Sequence, residues 1–163
     1  MHKLRRIDKA ITDVSAVKAI LREAKFITLA MSLNDEPYLA TLSHGFDEEK
    51  NCIYFHCAKE GKKVDILKAN PIVWGQALVD GGYQQGSCDH LYSTAQFQGT
   101  VSFVDDASEK AHALEVMIRH LDNNPEAILS KQATARSLDR VLIGRVDIDF
   151  VSGKKADKII VQV

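Results

Sequence analysis

The first sixty residues pass from a helical to an alternating hydrophobic pattern. Residues 14–24 carry apolar side chains at helical spacing, and Asp13 can cap such a helix. The apolar positions on one side of this helix are Val14, Val17, Ile20, Leu21 and Ala24. The alternation that follows predicts three consecutive antiparallel strands over residues 26–33, 38–46 and 52–58, with polar turns at 34–37 and 47–51.

The middle of the chain predicts a short helix and two further strands. The helix carries Val64, Ile66, Leu67 and Ala69, and it ends before Pro71 because a residue that precedes proline avoids helical geometry. Three glycines predict an irregular loop over residues 80–90. The strands on either side of this loop cover residues 72–79 and 92–104, with a bulge or bend expected at Gly99.

The last third predicts two helices and the closing strands. An amphipathic helix begins at Asp105, Asp106 or Ser108 and ends near Leu121. The remaining predicted elements are helical turns at 125–131, a strand at 140–151, a turn at 153–157 and a last strand at 159–163. Six or seven strands with few helices between them favour a mainly β antiparallel barrel over a parallel sheet.

Composition places the chain among ordinary globular domains. Of its 163 residues 45% are hydrophobic, and 21 Lys+Arg against 22 Asp+Glu give a formal net charge of −1. Such a chain can bury a core without disulfides, and it has no net positive field to attract nucleic acid or an anionic membrane. No long linker, low-complexity segment or repeat divides the sequence, which predicts a single domain over residues 1–163. A charged N-terminal segment and three cysteines without CxxC spacing predict a cytoplasmic protein.

A basic turn joins the third strand to the short helix. Its sequence, Lys-Glu-Gly-Lys-Lys at residues 59–63, places Lys62 and Lys63 where a helix N-terminus offers free backbone N–H groups. Gly61 allows the backbone to close around a ligand. The pattern predicts a phosphate cradle that lacks the nucleotide P-loop spacing, and it also suits a solvated lysine-rich turn.

Alternation in the third strand predicts which side chains face the barrel interior. Cys57 shares the predicted interior face with Ile53 and Phe55, so we interpret it as a small core residue rather than a nucleophile. His56 lies on the opposite face and leaves the core next to the basic turn. It is therefore either a hydrogen-bonded structural histidine or a member of the site.

Other site classes receive little support from the sequence. The four possible metal ligands, of which only the first two are close in sequence, are Cys88, His90, His56 and His44. They match no recurrent zinc spacing. The chain also has no G-x-S-x-G elbow and no G-x-G-x-x-G after a strand. We predict neither a metal site nor a hydrolase.

Several motifs together resemble one protein family. The most specific is residues 54–63, Tyr-Phe-His-Cys-Ala-Lys-Glu-Gly-Lys-Lys, followed by Asn70-Pro71. Supporting segments are Pro37-Tyr38, residues 43–47, residues 92–99 and residues 146–154. Over roughly residues 5–155 the chain resembles the FMN-binding split-barrel superfamily, and more narrowly the nitroimidazole-resistance branch related to pyridoxamine 5'-phosphate oxidases.

This resemblance implies a six-stranded Greek-key split barrel that forms a homodimer, with FMN in each of two grooves at the subunit interface. By the resemblance, Lys62 and Lys63 bind the FMN phosphate, and His56 is the first candidate catalytic residue. The other residues expected to contact FMN are Thr41, Leu42, Ser43, His44, Phe55, His56 and Thr94. The C-terminal residues 154–163 lack the arginine-rich segment of pyridoxamine 5'-phosphate oxidases, which argues against the vitamin substrate.

The leading functional hypothesis is an FMN-dependent oxidoreductase that passes electrons, for instance from a reduced nicotinamide, to a small aromatic or nitro-aromatic acceptor. Three alternatives stay open. The first is a flavin-binding carrier or sensor without turnover. The second is a haem-binding split barrel, for which His44, His56 or His90 would be candidate axial ligands. The third is a split-barrel dimer that binds no ligand tightly.

Overall fold

Eight strands form a single antiparallel sheet, around which four α-helices pack, in a computed structural model that describes residues 6–132 and 141–156. The strands are β1 (Ala10–Ile11), β2 (Phe26–Leu33), β3 (Glu36–Ser43), β4 (Gly45–Asp47), β5 (Cys52–Cys57), β6 (Ile72–Gln84), β7 (Asp89–Phe103) and β8 (Leu142–Ala156). The helices are α1 (Val14–Glu23), α2 (Lys62–Ala69), α3 (Ala107–Leu121) and α4 (Pro125–Gln132). The predicted mainly β class is confirmed, although the sheet has eight strands in place of six.

The order of the strands closes the sheet into a barrel. Neighbours along the sheet run β3-β2-β6-β7-β8-β5-β4, and β1 pairs with β8 beside this path. The two ends of this order, β3 and β4, are separated in the chain by a single residue, His44. The sheet must therefore curl until its first and last strands meet at that corner.

The two longer helices begin at aspartate caps, as the sequence predicts. The Asp13 carboxylate accepts a hydrogen bond from the Ser15 backbone N–H at 2.9 Å, and Asp106 accepts one from the Glu109 N–H at 2.8 Å. The bulge expected at Gly99 is present as a register shift between β7 and β8. A Cβ at this glycine would lie 2.2 Å from the Asp147 carbonyl oxygen, so the close approach of β8 requires glycine.

The irregular loop predicted over residues 80–90 is wrong. Strands β6 and β7 continue through this segment as a long hairpin, in which Asp80 pairs with Tyr92 and Gln84 with Asp89. The glycines accompany a register shift between Asp80 and Gly82 and a tight turn at Gly86, whose φ of 83° is accessible to glycine. These glycines therefore accompany a β-bulge and a hairpin turn and do not interrupt the strands.

The predicted strand over residues 38–46 is interrupted at His44, which separates β3 from β4. The turn before it is also shorter than predicted. Asn34 and Asp35 alone form it, with φ values of 51° and 63°, as expected for a two-residue hairpin loop. Pro37 lies within β3, which pairs on one side only among the described strands, and such an edge strand tolerates proline.

The turn predicted at residues 153–157 is wrong in the part that the structure describes, since β8 continues through Gly153 to Ala156. A Cβ at Gly153 would lie 2.6 Å from the Val17 side chain, so this glycine admits helix α1 against the strand and does not mark a turn. The last predicted strand, at residues 159–163, lies outside the described residues.

The core has two parts, one on each face of β5. Ile53 and Phe55 face the barrel interior, as predicted, together with Phe97 and the apolar side of α1. The other face of β5 carries Cys52 and Tyr54. These residues are also fully buried, because α3 covers them with Ala113 and Met117.

Candidate functional site

An opening in the barrel lies between β3 and β5. Within the described residues β3 pairs with β2 alone, so its other edge is free. Strand β5 pairs with β8 along its whole length but with β4 only at Cys52–Tyr54. Among the strands that the structure describes, none pairs with the second edge of residues 55–57. The two strands contact each other across this opening, which we call the split. The split brings residues 41–44 together with Phe55 and His56.

The side chains of the predicted β3 segment alternate between two faces. Leu42 packs against the barrel core, and Thr41 and Ser43 lie on the outer face of the sheet. The Thr41 hydroxyl is 3.1 Å from that of Thr28. Strand β3 therefore contributes backbone N–H and C=O groups to the edge of the split. The Thr41 and Ser43 hydroxyls lie beside this edge, on the outer face of the sheet.

Phe55 and His44 both turn their side chains into the protein. Phe55 is fully buried, and its ring packs so closely on Gly144 that a Cβ there would lie 2.2 Å from it. His44 is also fully buried, with Nε2 3.0 Å from the Leu21 carbonyl oxygen and its ring centroid 4.6 Å from that of His120. Only the backbone of these two residues is therefore in a position to line the split.

Burial also fixes the charge of His44. Removal from water, together with the neighbouring His120, lowers the pKa of His44 from 6.5 to about 4, so the ring is neutral at pH 7. Its Nδ1 atom is buried and has no hydrogen-bond partner within the part of the chain that the structure describes. The ring packs at the corner between β3 and β4, against the C-terminal end of α1.

Helix α2 begins at the end of the split and differs from α1 and α3 at its first turn. Its N-cap is Gly61, at a φ of 133° that favours glycine, and no side chain caps its free N–H groups. The first two helical residues are Lys62 and Lys63. Positive charges in the first turn are unfavourable next to the positive end of the helix dipole. Asp65 in the same turn offsets part of this charge, and an anion bound there would relieve the rest.

Lys62 already has an anionic partner. Its Nζ is 2.7 Å from a Glu36 carboxylate oxygen at the start of β3, and it lies 5.0 Å from the centre of the Tyr38 ring. The hydrogen bond to Glu36 raises the pKa of Lys62. The side chains are 54% and 69% exposed, so solvent screens the pair and a better anion can replace Glu36 at little cost.

Lys63 differs from Lys62 in its ion pairing. It is half-buried, and within the described residues it has no ion-pair partner. It lies close enough to the Cys57 thiol for its charge to lower that pKa slightly, against the larger upward effect of burial.

His56 does not share the surface used by the lysines. Its side chain is exposed on the α3 side of β5, where it lines an open groove of about 340 Å³ formed mainly by α3 and α4. The sequence predicted correctly that His56 leaves the core at the end of the strand. The apolar groove that it faces was not predicted.

Thr94 lies apart from the other candidates within one protomer. Its hydroxyl donates a hydrogen bond to the Lys154 carbonyl oxygen at 3.2 Å, on the outer face of β7. Strand β7 is three positions from β3 and two from β5 in the sheet, about 14 Å and about 10 Å at the usual strand spacing. The structure therefore does not bring Thr94 to the split of its own protomer.

Sequence reasoning also missed Glu36, which was assigned to a turn. A signal was available, because strand alternation continued backwards from Tyr38 places Glu36 on the same face of β3 as Tyr38, and both approach Lys62. A second signal, for the groove that His56 faces, was the number of apolar residues on α3. A helix with one buried face does not require Leu114, Ile118 and Leu121 all to be apolar.

Two predictions concern metals and membranes. Within residues 6–132 and 141–156, no group of three His, Cys, Asp or Glu side chains could hold a metal ion. His90, one of the four possible ligands, instead pairs with Asp80 at 2.7 Å. Among the helices that the structure describes, none is long and apolar enough to cross a membrane.

Comparison with known proteins gives one family and a common fold. The sequence profile described as pyridoxamine 5'-phosphate oxidase matches residues 13–155. A candidate 5-nitroimidazole antibiotic resistance protein from Bacteroides thetaiotaomicron has 24% identity and a TM-score of 0.74, over 91% of this chain and 90% of that one. No curated protein matches significantly.

Two larger proteins share the fold at lower identity. The flavocytochrome Anf3 of Azotobacter vinelandii has 17% identity and a TM-score of 0.80, over 96% of this chain and 73% of that one. The FAD- and haem-binding protein of Mycobacterium smegmatis has 17% identity and a TM-score of 0.77, over 92% and 74%. At these identities the similarity establishes the split-barrel architecture.

Proposed function

Because the chain belongs to the pyridoxamine 5'-phosphate oxidase family, with a match over residues 13–155, we propose that it is a flavin-dependent oxidoreductase that binds FMN in the split. The family membership confirms the resemblance inferred from the motifs. The observation that carries the proposal is the N-terminus of α2, which is uncapped, begins with Lys62 and Lys63, and directly follows the free edge of β5.

The phosphate would bind at the first turn of α2. Its dianion needs positive charge and N–H donors, and this turn supplies two lysines and the uncapped amides of a helix N-terminus. Gly61 adds an open approach, since a Cβ at this residue would meet nothing within 4 Å. The donor set fits a phosphate monoester.

The rest of the cofactor would lie along the split. Free backbone groups of β3 and of residues 55–57 can hydrogen-bond the ribityl chain and the polar edge of the ring, and such contacts tune a flavin's potential. The rings of His44 and Phe55 are left out of the proposed contacts because both are fully buried. When bound, FMN would supply the redox chemistry, accepting a hydride from a reduced nicotinamide and passing two electrons to a small aromatic or nitro-aromatic acceptor.

A homodimer would complete the site. Large apolar side chains are exposed together on the outer face of β2, β3 and β6, where Leu39 is 65% and Trp74 41% exposed. We call this surface, which also includes Phe26, Ile72 and Leu78, the outer apolar face. Exposed apolar patches of this kind mark association surfaces. A second copy packed on it would bring Thr94 of one protomer towards the split of the other.

His56 is the residue proposed to act on the acceptor. Its backbone belongs to the edge of the split and its side chain faces the α3 side, so it is in a position to donate or accept a proton next to the flavin. Of the three histidines considered for haem, His44 is buried and hydrogen-bonded and His90 is paired with Asp80, whereas the His56 ring makes no hydrogen bond to the residues that the structure describes.

The absorption spectrum of the purified protein, recorded before and after loading with FMN, tests the proposal. A flavin spectrum at one FMN per chain is the expected result, and a Soret band without flavin would favour the haem alternative. Stopped-flow reoxidation of the reduced protein then separates enzyme from carrier. A nitro-aromatic acceptor should accelerate reoxidation if the protein turns over, and an unchanged rate would favour a carrier or sensor.

A further inference from the structure

Five neighbouring strands, in the order β3-β2-β6-β7-β8, present one continuous outer face of the barrel. Residues directly opposite each other in paired strands share a face, so the register arranges this surface in rows that cross the strands. One row is polar throughout, and hydrogen bonds join Thr28 to Thr41 and Gln96 to Gln76 within it. We call it the polar row, and its members are Thr41, Thr28, Gln76, Gln96 and Ser152.

Apolar side chains flank the polar row and concentrate on β6. One neighbouring row contains Leu39, Trp74 and Phe150, and the ring centroids of Trp74 and Phe150 are 6.1 Å apart. Three of the five members of the outer apolar face, Ile72, Trp74 and Leu78, belong to β6. Since β6 is the middle strand of the five, the outer apolar face is centred on it.

A second copy packed on the outer apolar face fits best with the two-fold axis along β6. The same surface meets itself in a symmetric dimer, so the axis passes through its centre. With the axis along β6, the polar row meets that of the partner, and Leu39 meets Phe150 of the partner subunit. With the axis across the strands, Leu39 would instead meet Ser43 of the partner subunit. The first arrangement pairs apolar with apolar and polar with polar groups, at the lower desolvation cost.

An axis along β6 sets β8 of one protomer opposite β3 of the other. The outer face of a barrel is convex, so two barrels that touch at β6 diverge towards β3 and β8 and leave a cleft on each side. Each cleft leads to the split of one protomer and is lined by β7 and β8 of its partner. The row on the other side of the polar row begins at Ser43 on β3 and ends at Lys154 on β8. Across the cleft, Ser43 therefore faces Lys154 of the partner subunit.

The register fixes the position of Lys154 at the end of this row. It pairs with Thr94, whose hydroxyl donates a hydrogen bond to the Lys154 carbonyl oxygen at 3.2 Å, and both residues line a small recess of about 40 Å³. Ser43 ends β3 and Glu36, the partner of Lys62, begins it, so these two ends are about 23 Å apart at the usual rise per residue. The partner's Lys154 would therefore lie far from the phosphate, at the end of the cleft left for the ring of the cofactor.

We propose that Lys154 completes the flavin site of the partner subunit, where its positive charge lies beside the isoalloxazine ring. This inference rests on the proposed function, in which FMN occupies the split of a homodimer. Reduction of the flavin adds negative charge to the ring, so an ammonium group beside it stabilises the reduced form more than the oxidised form. Lys62 and Lys63 hold the phosphate in either state, whereas Lys154 raises the reduction potential.

The reduction potential of the bound flavin tests the role of this charge. Lys154→Met should weaken binding of reduced FMN at least ten-fold more than binding of oxidised FMN, which lowers the two-electron potential by at least about 30 mV. Lys154→Arg keeps the charge and should retain the wild-type potential. Lys155→Met removes the same charge from the opposite face of β8 and should also retain it. A wild-type potential in Lys154→Met would overturn the proposal.

A heterodimer tests whether Lys154 acts across the interface. One chain carries Lys154→Met and the other carries Lys62→Ala/Lys63→Ala, and two different affinity tags select the mixed dimer. The site with intact Lys62 and Lys63 then receives Lys154 from its partner, so the heterodimer should bind one FMN tightly, at the wild-type potential. The potential of the Lys154→Met homodimer would show instead that Lys154 acts within its own protomer, which contradicts the inference.

Cross-linking locates the two-fold axis independently of flavin. In a Cys88→Ser background, which removes an exposed native thiol, Trp74→Cys should form a disulfide between protomers and Thr41→Cys should not. A Thr41→Cys disulfide, or no disulfide in either variant, would contradict the arrangement. The Trp74→Cys disulfide without FMN binding by the wild type counts against the proposed function. Tight FMN binding with an unchanged potential in Lys154→Met counts against the role of Lys154 alone.

Discussion

The Lys62 ammonium group is 2.7 Å from the Glu36 carboxylate, across the space between the first turn of α2 and the start of β3. The carboxylate occupies a position that an anionic ligand of Lys62 would take. Asp65 lines the same surface pocket of about 300 Å³, so the local charge there is less positive than the lysine-rich sequence indicates. Glu36 is therefore an internal competitor for the phosphate of a bound cofactor.

Removal of this competitor should strengthen FMN binding. Glu36→Gln abolishes the negative charge and frees Lys62, and because the pair is exposed the gain should not exceed about five-fold in affinity. Fluorescence titration with FMN measures it. Glu60→Gln is the matched control, since Glu60 is an exposed acid near the same turn. An equal gain in both variants would mean that the pair itself does not matter.

The two lysines should act on the phosphate and on no other part of the cofactor. We expect Lys62→Ala and Lys63→Ala each to weaken FMN binding roughly 10-fold or more, as for a lost charge-assisted contact. Lys68→Ala, in the last turn of α2, should change it little. If Lys68→Ala weakens binding as much as the other two, the effect is one of net charge and not of the α2 N-terminus.

Disruption of the outer apolar face should separate the proposed dimer. Leu39→Glu or Trp74→Glu places a charge where an apolar contact is expected, so analytical ultracentrifugation should show a monomer, with weaker flavin retention because Thr94 would then be absent from the partner's site. Val14→Glu, at an apolar residue 55% exposed on α1, is the control and should leave the oligomer intact. A monomeric wild type would contradict this part of the proposal.

Acid should destabilise the protein through His44. The pKa of His44 is about 4 in the folded protein and 6.5 in the unfolded chain. As the pH falls below 6.5, the unfolded chain therefore binds a proton at His44 and the folded protein does not. The free energy of unfolding should therefore fall by about 3 kcal/mol as the pH falls from 7 to 4. Urea denaturation across this range measures the slope. His44→Gln should flatten it, and His56→Gln, at an exposed residue whose ring makes no hydrogen bond to the described residues, should not. Equal slopes in all three proteins would contradict the assignment.

The fold was predictable from sequence where the local pattern of helix caps and strand alternation agrees with the tertiary packing. The caps at Asp13 and Asp106 and the interior face of β5 all follow from short-range patterns that tertiary structure does not override. The errors arose at glycines. Gly82 and Gly153 were interpreted as loop or turn residues, whereas one accompanies a bulge and the other accommodates Val17. Sequence alone does not distinguish a glycine needed for its backbone from one needed for its missing side chain.

The candidate site was predictable in position and less so in detail. The family resemblance predicted residues 41–44, His56 and Lys62 as members of one site. In the structure β3 and β5 contact each other, and Lys62 pairs with Glu36 at the start of β3. The interior position of Phe55 follows from strand alternation. The burial of the His44 ring could not be anticipated, since burial at strand ends depends on which helices cover them. The pairing of Lys62 with Glu36 joins residues 26 positions apart and needed the hairpin geometry.

The most direct test of the central claim compares FMN with riboflavin, which differs only by lacking the phosphate. Titration of flavin-free protein with each ligand measures the contribution of the phosphate at the α2 N-terminus. We predict at least roughly 100-fold tighter binding of FMN, as expected from two charge-assisted contacts, and a much smaller ratio in Lys62→Ala/Lys63→Ala. Equal affinities for FMN and riboflavin in the wild type would contradict the proposed phosphate site.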